Sequence, residues 1–120
     1  MIGDAFFRLK NYKAAEESYL KVYKLTNDFA IMERLGIIEL KLNKPSNAIV
    51  LFENCINHYS NSESNSNIEE IHLNLALAYY RTNNQLKAKN ELDRILEKNP
   101  HSNEAFNLLK KIESDRNQKL

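Results

Sequence analysis

Cysteine occurs once in this 120-residue chain, at Cys55, so no intrachain disulfide can form and no thiolate cluster is available to hold a metal. Glycine and proline are nearly as scarce, two of each, which argues against an all-β fold with its many turns. Long apolar runs are missing too. The longest, such as Ala48 to Phe52, fall far short of the roughly 20 residues that a membrane span needs. No apolar segment follows a basic start, so no signal peptide is read, and position 2 is Ile2 where myristoylation would require glycine. Charge of one sign is not in excess either: 17 basic and 16 acidic residues leave a net +1, and the signs are interspersed. Without a positive field to hold phosphates, the usual argument for nucleic acid or an anionic membrane as partner falls away. The length suits one domain. A cytoplasmic protein is the expectation.

What the chain does have is a period. Apolar residues recur at intervals of three and four almost throughout. The spacing predicts helices over about 1–10, 13–25, 29–42, 45–58, 68–82, 85–98 and 103–116. The breaks between them carry matching signals. Pro45 suits a first helical turn, where its missing N–H costs nothing. Ser66-Asn67-Ile68-Glu69 reads as a capping box opening the fifth helix, and Asn99-Pro100 closes the sixth.

Small residues mark a repeat. Gly3 to Gly36 and Ala15 to Ala48 are each 33 residues apart, while Gly36 to Ala76 and Ala48 to Ala88 are each 40. The internal spacing of 12 (Gly3 to Ala15, Ala76 to Ala88) survives in the third unit, which is therefore displaced as a block. The first unit contains Ile2-Gly3-x2-Phe6 and then Ala15-x3-Tyr19, with Asn27 at its end. The second contains Met32-x2-Leu35-Gly36, Glu39, Ala48-x3-Phe52 and Ser60. The third contains His72-x2-Leu75-Ala76-x2-Tyr79, Ala88-x3-Leu92 and Pro100. Over residues 1 to 100 the chain resembles the tetratricopeptide repeat (TPR) family, whose pattern is W-x2-L-G-x2-Y, then A-x3-F, then a proline near the end of the second helix. Glu39 stands where that family usually has an aromatic.

The resemblance implies an all-α fold: a right-handed α-solenoid of three stacked antiparallel helix hairpins plus a C-terminal capping helix. The alternative is an irregular helical bundle. Independent of the family, the small positions make sense where two helices of a hairpin approach closely, and stacking supplies the core that one hairpin lacks. The expected organisation is a single domain over 1–120, with repeats at about 1–28, 29–60 and 68–101, an inserted loop at about 61–66 and a capping helix at about 103–116. In that last helix Ala105, Phe106, Leu108, Leu109 and Ile112 are expected against the array, and Lys110 takes a position that would otherwise hold a small residue. The polar run His58-Tyr59-Ser60-Asn61-Ser62-Glu63-Ser64-Asn65-Ser66-Asn67 is then an insertion within one array, read as a neutral solvated loop. The first helix starts about five positions into its pattern without an N-cap, so the chain is expected to be the C-terminal portion of a longer array.

No chemistry-bearing constellation emerges, and neither a catalytic residue, a cofactor nor a metal is assigned. His72 sits at a large-residue position and is expected to be packed or partly buried; His58 and His101 fall at or just beyond helix C-termini, where the dipole favours a cation. No pair of histidines has metal-ligand spacing on a helix. Cys55 is expected to be buried as a small apolar group. The adjacent acids Glu16-Glu17 and Glu69-Glu70 suggest solvated or capping roles. A phosphate loop, a nucleophile elbow and a dinucleotide fingerprint are all missing. The expectation is not an enzyme.

In TPR proteins the first helices of successive units line a concave groove that binds peptides or helices. Carried over by position, the lining here is Asp4, Phe7 and Arg8, then Ala30, Glu33, Arg34, Ile37, Leu40 and Lys41, then Glu70, Leu73, Asn74, Leu77, Tyr80 and Arg81. The expected partner-binding residues are Phe7, Arg34, Ile37, Leu40, Leu73, Asn74, Leu77, Tyr80 and Arg81, with the apolar ones at positions the hairpin core does not consume. Some family members clamp the acidic C-termini of heat-shock chaperones with Asn, Asn, Lys and Arg at the positions of Asp4, Arg34, Glu70 and Asn74. All four differ here, which disfavours chaperone tails. The expected function is a protein-interaction module, an adaptor or scaffold receiving a peptide or amphipathic helix. The competing class is a structural segment of a larger array, multi-subunit scaffold or self-associating oligomer with no separable ligand.

Overall fold

The computed structural model of the chain describes residues 2–59 and 68–118. These form seven α-helices, α1 (Ile2–Arg8), α2 (Tyr12–Thr26), α3 (Phe29–Lys41), α4 (Pro45–Tyr59), α5 (Ile68–Arg81), α6 (Gln85–Lys98) and α7 (Asn103–Gln118), with no strand among the described residues. The all-α expectation holds, and most boundaries fall within two residues of those the apolar spacing predicts. Ser60, the inserted loop and the Ser66-Asn67 part of the capping box lie outside the described residues.

One turn is built three times. Each hairpin reverses through a residue in the left-handed region: Lys10 (φ 60°), Asn43 (φ 60°) and Asn83 (φ 63°). The backbone closure also repeats. The N–H groups of Lys10 and Asn11 donate to the carbonyls of Phe7 and Phe6, those of Asn43 and Lys44 to Leu40 and Glu39, and those of Asn83 and Asn84 to Tyr80 and Tyr79. The orphan carbonyls of each first helix are thereby satisfied within the turn itself. Asn suits the left-handed conformation and Lys does not, so the first turn is the strained one. It also ends α1 at Arg8, short of the expected position 10.

Antiparallel helices then meet at the small positions. Ala15, Ala48 and Ala88 have no exposed surface. At Gly36, a Cβ would lie 2.6 Å from the buried Phe52 ring, so only glycine allows α3 and α4 this separation. Two apolar clusters result. Ala15, Tyr19, Leu35 and Ile38 join the first hairpin to α3. A larger cluster runs from Met32 and Phe52 through Leu75 and Leu92 to Ile112. Tyr23 and Leu51 touch both clusters, making the core continuous along an array 46 Å long.

Helix α7 covers the far end, packing on α6 and α5. Ala105 and Ile112 are buried and Leu108 and Leu109 half-buried, as expected, but Phe106 is 48% exposed, with the Lys110 ammonium 5.1 Å from its ring centre. A capping helix contacts the array along one side only, and Phe106 lies off that side.

Candidate functional site

The first helices of the units stack, α3 touching α5 and α5 touching α7, and cavities open along that face. One, about 270 Å³, lies between α3 and α5 and is lined by Ala30, Glu33, Arg34, Ile37 and Glu70. The next, about 500 Å³, shares Glu70 and continues past Leu73 and Ile95 to Ser102 and Glu104 at the start of α7. Sharing Glu70, the two form a trough lined from α3, α5, α6 and the start of α7.

The expected groove residues divide in their roles. Ile37, Leu73 and Leu77 are half-buried and packed on the larger core cluster, and the first two also line the cavities. Leu40 departs from expectation: it is 5% exposed and is consumed by the core, because the last turn of α3 tucks under α5. Arg81 fastens that contact by donating from Nη1 to the Leu40 carbonyl at 2.8 Å. Phe7 packs edge-to-face on Tyr12, with ring centres 5.6 Å apart, inside the first hairpin. Tyr80 donates its hydroxyl to Asp115 of α7, which pushes the phenol pKa up, and the Lys111 ammonium sits 5.5 Å from its ring. Tyr80 therefore belongs to the seam between α5 and the capping helix. Asn74 is partly buried on α5.

Arg34 is exposed and paired with Asp4 at 3.5 Å. Asp4 also accepts from the hydroxyl of Tyr19, and that hydrogen bond, with the nearby Arg34 charge, lowers its carboxyl pKa. Burial and Asp4 together push the Tyr19 phenol up to about 12. The Tyr19 and Asp115 contacts span 15 and 35 residues, and no local pattern announces them.

Glu33 is half-buried, and burial raises its carboxyl pKa, with the Glu70 charge adding to the rise. Its charge also reaches Cys55, which is fully buried as expected; burial chiefly, and Glu33 secondarily, push that thiol up to about 12, far from a reactive thiolate. His72 is partly buried as expected, its Nδ1 2.5 Å from Glu91. His58 stacks flat on Phe29 at 3.7 Å, and His101 is exposed beyond α6. Among the described residues no group of His, Cys, Asp or Glu could hold a metal, and no helix is long and apolar enough to cross a membrane.

Glu16 corrects the reading of the Glu16-Glu17 pair as solvated. It faces Glu39 across the α2–α3 interface and accepts from Lys44 Nζ at 3.2 Å. Glu39 itself is buried, with an Asn47 hydrogen bond at 3.3 Å.

Models of the tetratricopeptide repeat match residues 1–29, and again 31–62 and 70–102. The chain belongs to the tetratricopeptide repeat family, the class that the repeated hairpin and its small-residue contacts define. No curated protein sequence matches it. Among solved structures, the first TPR of Spaghetti (RPAP3), bound to the HSP90 peptide SRMEEVD, is 19% identical with a TM-score of 0.81, covering 94% of this chain and 86% of that one. The second TPR domain of human RPAP3, in complex with the HSP70 peptide SGPTIEEVD, is 19% identical with a TM-score of 0.78, covering 92% and 88%. The TPR2AB domain of yeast Sti1, in complex with pHSP90, is 15% identical with a TM-score of 0.80, covering 98% of this chain and 45% of that one. At such identities the likeness concerns the fold, an α-solenoid of helix hairpins.

Proposed function

We propose that this chain is a non-enzymatic interaction module whose concave face receives a peptide or amphipathic helix. The observation that carries the reading is the trough lined from α3, α5, α6 and the start of α7, where Ile37 and Leu73 line cavities while remaining only partly buried. Apolar side chains that the core leaves half-open in a concave surface are what a helix-in-groove or extended-peptide contact uses. The fold neighbours that hold heat-shock peptides lend support to a peptide as occupant. Their acidic peptides fit this chain poorly, because Glu70 lines the trough and Arg34 is occupied by Asp4.

The test is Leu77→Glu. Peptides selected against the chain from a random display library should lose at least about tenfold in affinity, a change of about 1.4 kcal/mol, with the helical circular dichroism unchanged. Undiminished binding by a folded variant would overturn the groove assignment. The structural-segment reading draws on a different observation, the exposure of Leu9 (77%) and Leu25 (85%) in the first hairpin. A concentration-dependent dimer in sedimentation would favour it.

A further inference from the structure

We propose that the occupant of the concave trough is cationic: a segment that lays apolar side chains on Ile37 and Leu73 and places a Lys or Arg between Glu33 and Glu70. The inference rests on reading that face as a peptide groove and adds the chemistry of what fills it.

The charges lining the two cavities are not balanced, although the chain as a whole is nearly neutral. Among the described residues Arg34 is the one cation in either lining, and it is paired with Asp4 at 3.5 Å. The carboxylates there outnumber it. Glu33 and Glu70 line one cavity, Glu70 and Glu104 line the next, and among the described residues none of the three makes a hydrogen bond or ion pair. Glu69 sits in the same wall with one hydrogen bond from Asn99.

Helix dipoles explain part of this pattern. Glu69, Glu70 and Glu104 lie in first turns, where negative charge is stabilised. Glu33 lies beyond the first turn of α3, which begins at Phe29, so that account does not reach it. Instead it is half-buried beside a like charge, Glu70, whose effect on it exceeds the opposing one of Arg34. Two carboxylates facing each other across a cavity repel, and an incoming cation relieves that repulsion while an incoming acid increases it. Ile37 and Leu73 beside them supply apolar contact for the rest of the segment, so charge and shape ask for the same partner: a basic, apolar peptide.

The experiment selects peptides from a random phage-displayed library on the immobilised full chain, then titrates dye-labelled copies by fluorescence anisotropy. The enriched sequences should carry Lys or Arg among apolar residues, weaken with added salt, and lose about tenfold in affinity for Glu33→Gln combined with Glu70→Gln. Both substitutions keep side-chain size, and circular dichroism checks the fold. The acidic peptide SRMEEVD serves as counter-probe and should not bind. Selected peptides that are neutral or acidic, or basic ones indifferent to the double variant, overturn the proposal. Peptides that lose binding to Leu77→Glu but ignore the double variant leave the groove standing and refute only its charge preference. Indifference to both, or no enriched peptide at all, counts against groove and cation together.

Discussion

At Gly36 a hydrogen atom sets the distance between two helices. An added methyl would stand 2.6 Å from Phe52, whose ring has no exposed surface to swing toward. Alanine would improve helix propensity by about 1 kcal/mol, but overpacking costs about 1–3 kcal/mol, so Gly36→Ala should destabilise by up to about 2 kcal/mol in urea unfolding. A stabilising result would mean that α3 and α4 separate freely. Three residues on, Glu39 shows what a carboxyl does where its family usually has an aromatic. Burial, then the facing Glu16, raise its pKa from an ordinary 4.5 to about 7. Between those values the folded chain keeps a proton that the unfolded chain has lost, so stability falls as pH rises from about 5 to about 7 and levels off above. Glu16 acts in the opposite sense and lower down: its pKa is depressed, chiefly by the Glu39 hydrogen bond, so its contribution is lost only as pH falls below about 4.5. Glu39→Gln can still accept from Asn47 and donate to Glu16. It should flatten the slope between pH 5 and 7 and stabilise the chain at pH 8 by on the order of 1 kcal/mol. Thermal melts at several pH values check this; an unchanged slope in the variant would place the titration elsewhere.

Among the elements, the hairpin turns repeat more faithfully than the residues that make them. All three put one residue at φ near +60°, and two use Asn where the first uses Lys10. A side chain without local hydrogen bonding costs about 1–2 kcal/mol in that conformation, so Lys10→Gly should stabilise by about 1 kcal/mol, less what glycine loses in unfolded-state entropy. Chemical denaturation measures the difference directly, and destabilisation would show that the exposed Lys10 makes a contact worth more than its strain. The apolar spacing made each helix legible, because an interval of three or four residues is a local signature of one buried face. The seams between helices were not legible. Tyr80 read as a groove aromatic until Asp115, 35 residues on, drew its hydroxyl to the capping helix. Leu40 read as groove lining until α5 closed over it. Phe106 read as buried because period alone cannot say how much of α7 the array covers.

Over the whole molecule, stability is distributed along a line, since each helix packs mainly on its neighbours in sequence. The cluster joining the first hairpin to α3 contains only Ala15, Tyr19, Leu35 and Ile38 as fully buried apolar members, whereas the second runs unbroken from Met32 to Ile112. Hydrogen exchange should therefore show α1 and α2 opening at lower free energy than α5 and α6, by about 1–3 kcal/mol in protection. Uniform protection would mean that the array unfolds as one cooperative block. The sequence by itself determined the repeat, its hairpins, the small residues at their crossings and the displacement of the third unit. These follow from periodicity and from the limited room between packed helices, which are properties of neighbouring residues. Only the tertiary structure decided which apolar side chains the core absorbed, which stayed half-buried beside cavities, and that Arg34 pairs with Asp4 while Glu33 shares a cavity with Glu70. Those outcomes depend on distances between residues far apart in the chain, and a charge count near neutral conceals how the charges are shared among its faces.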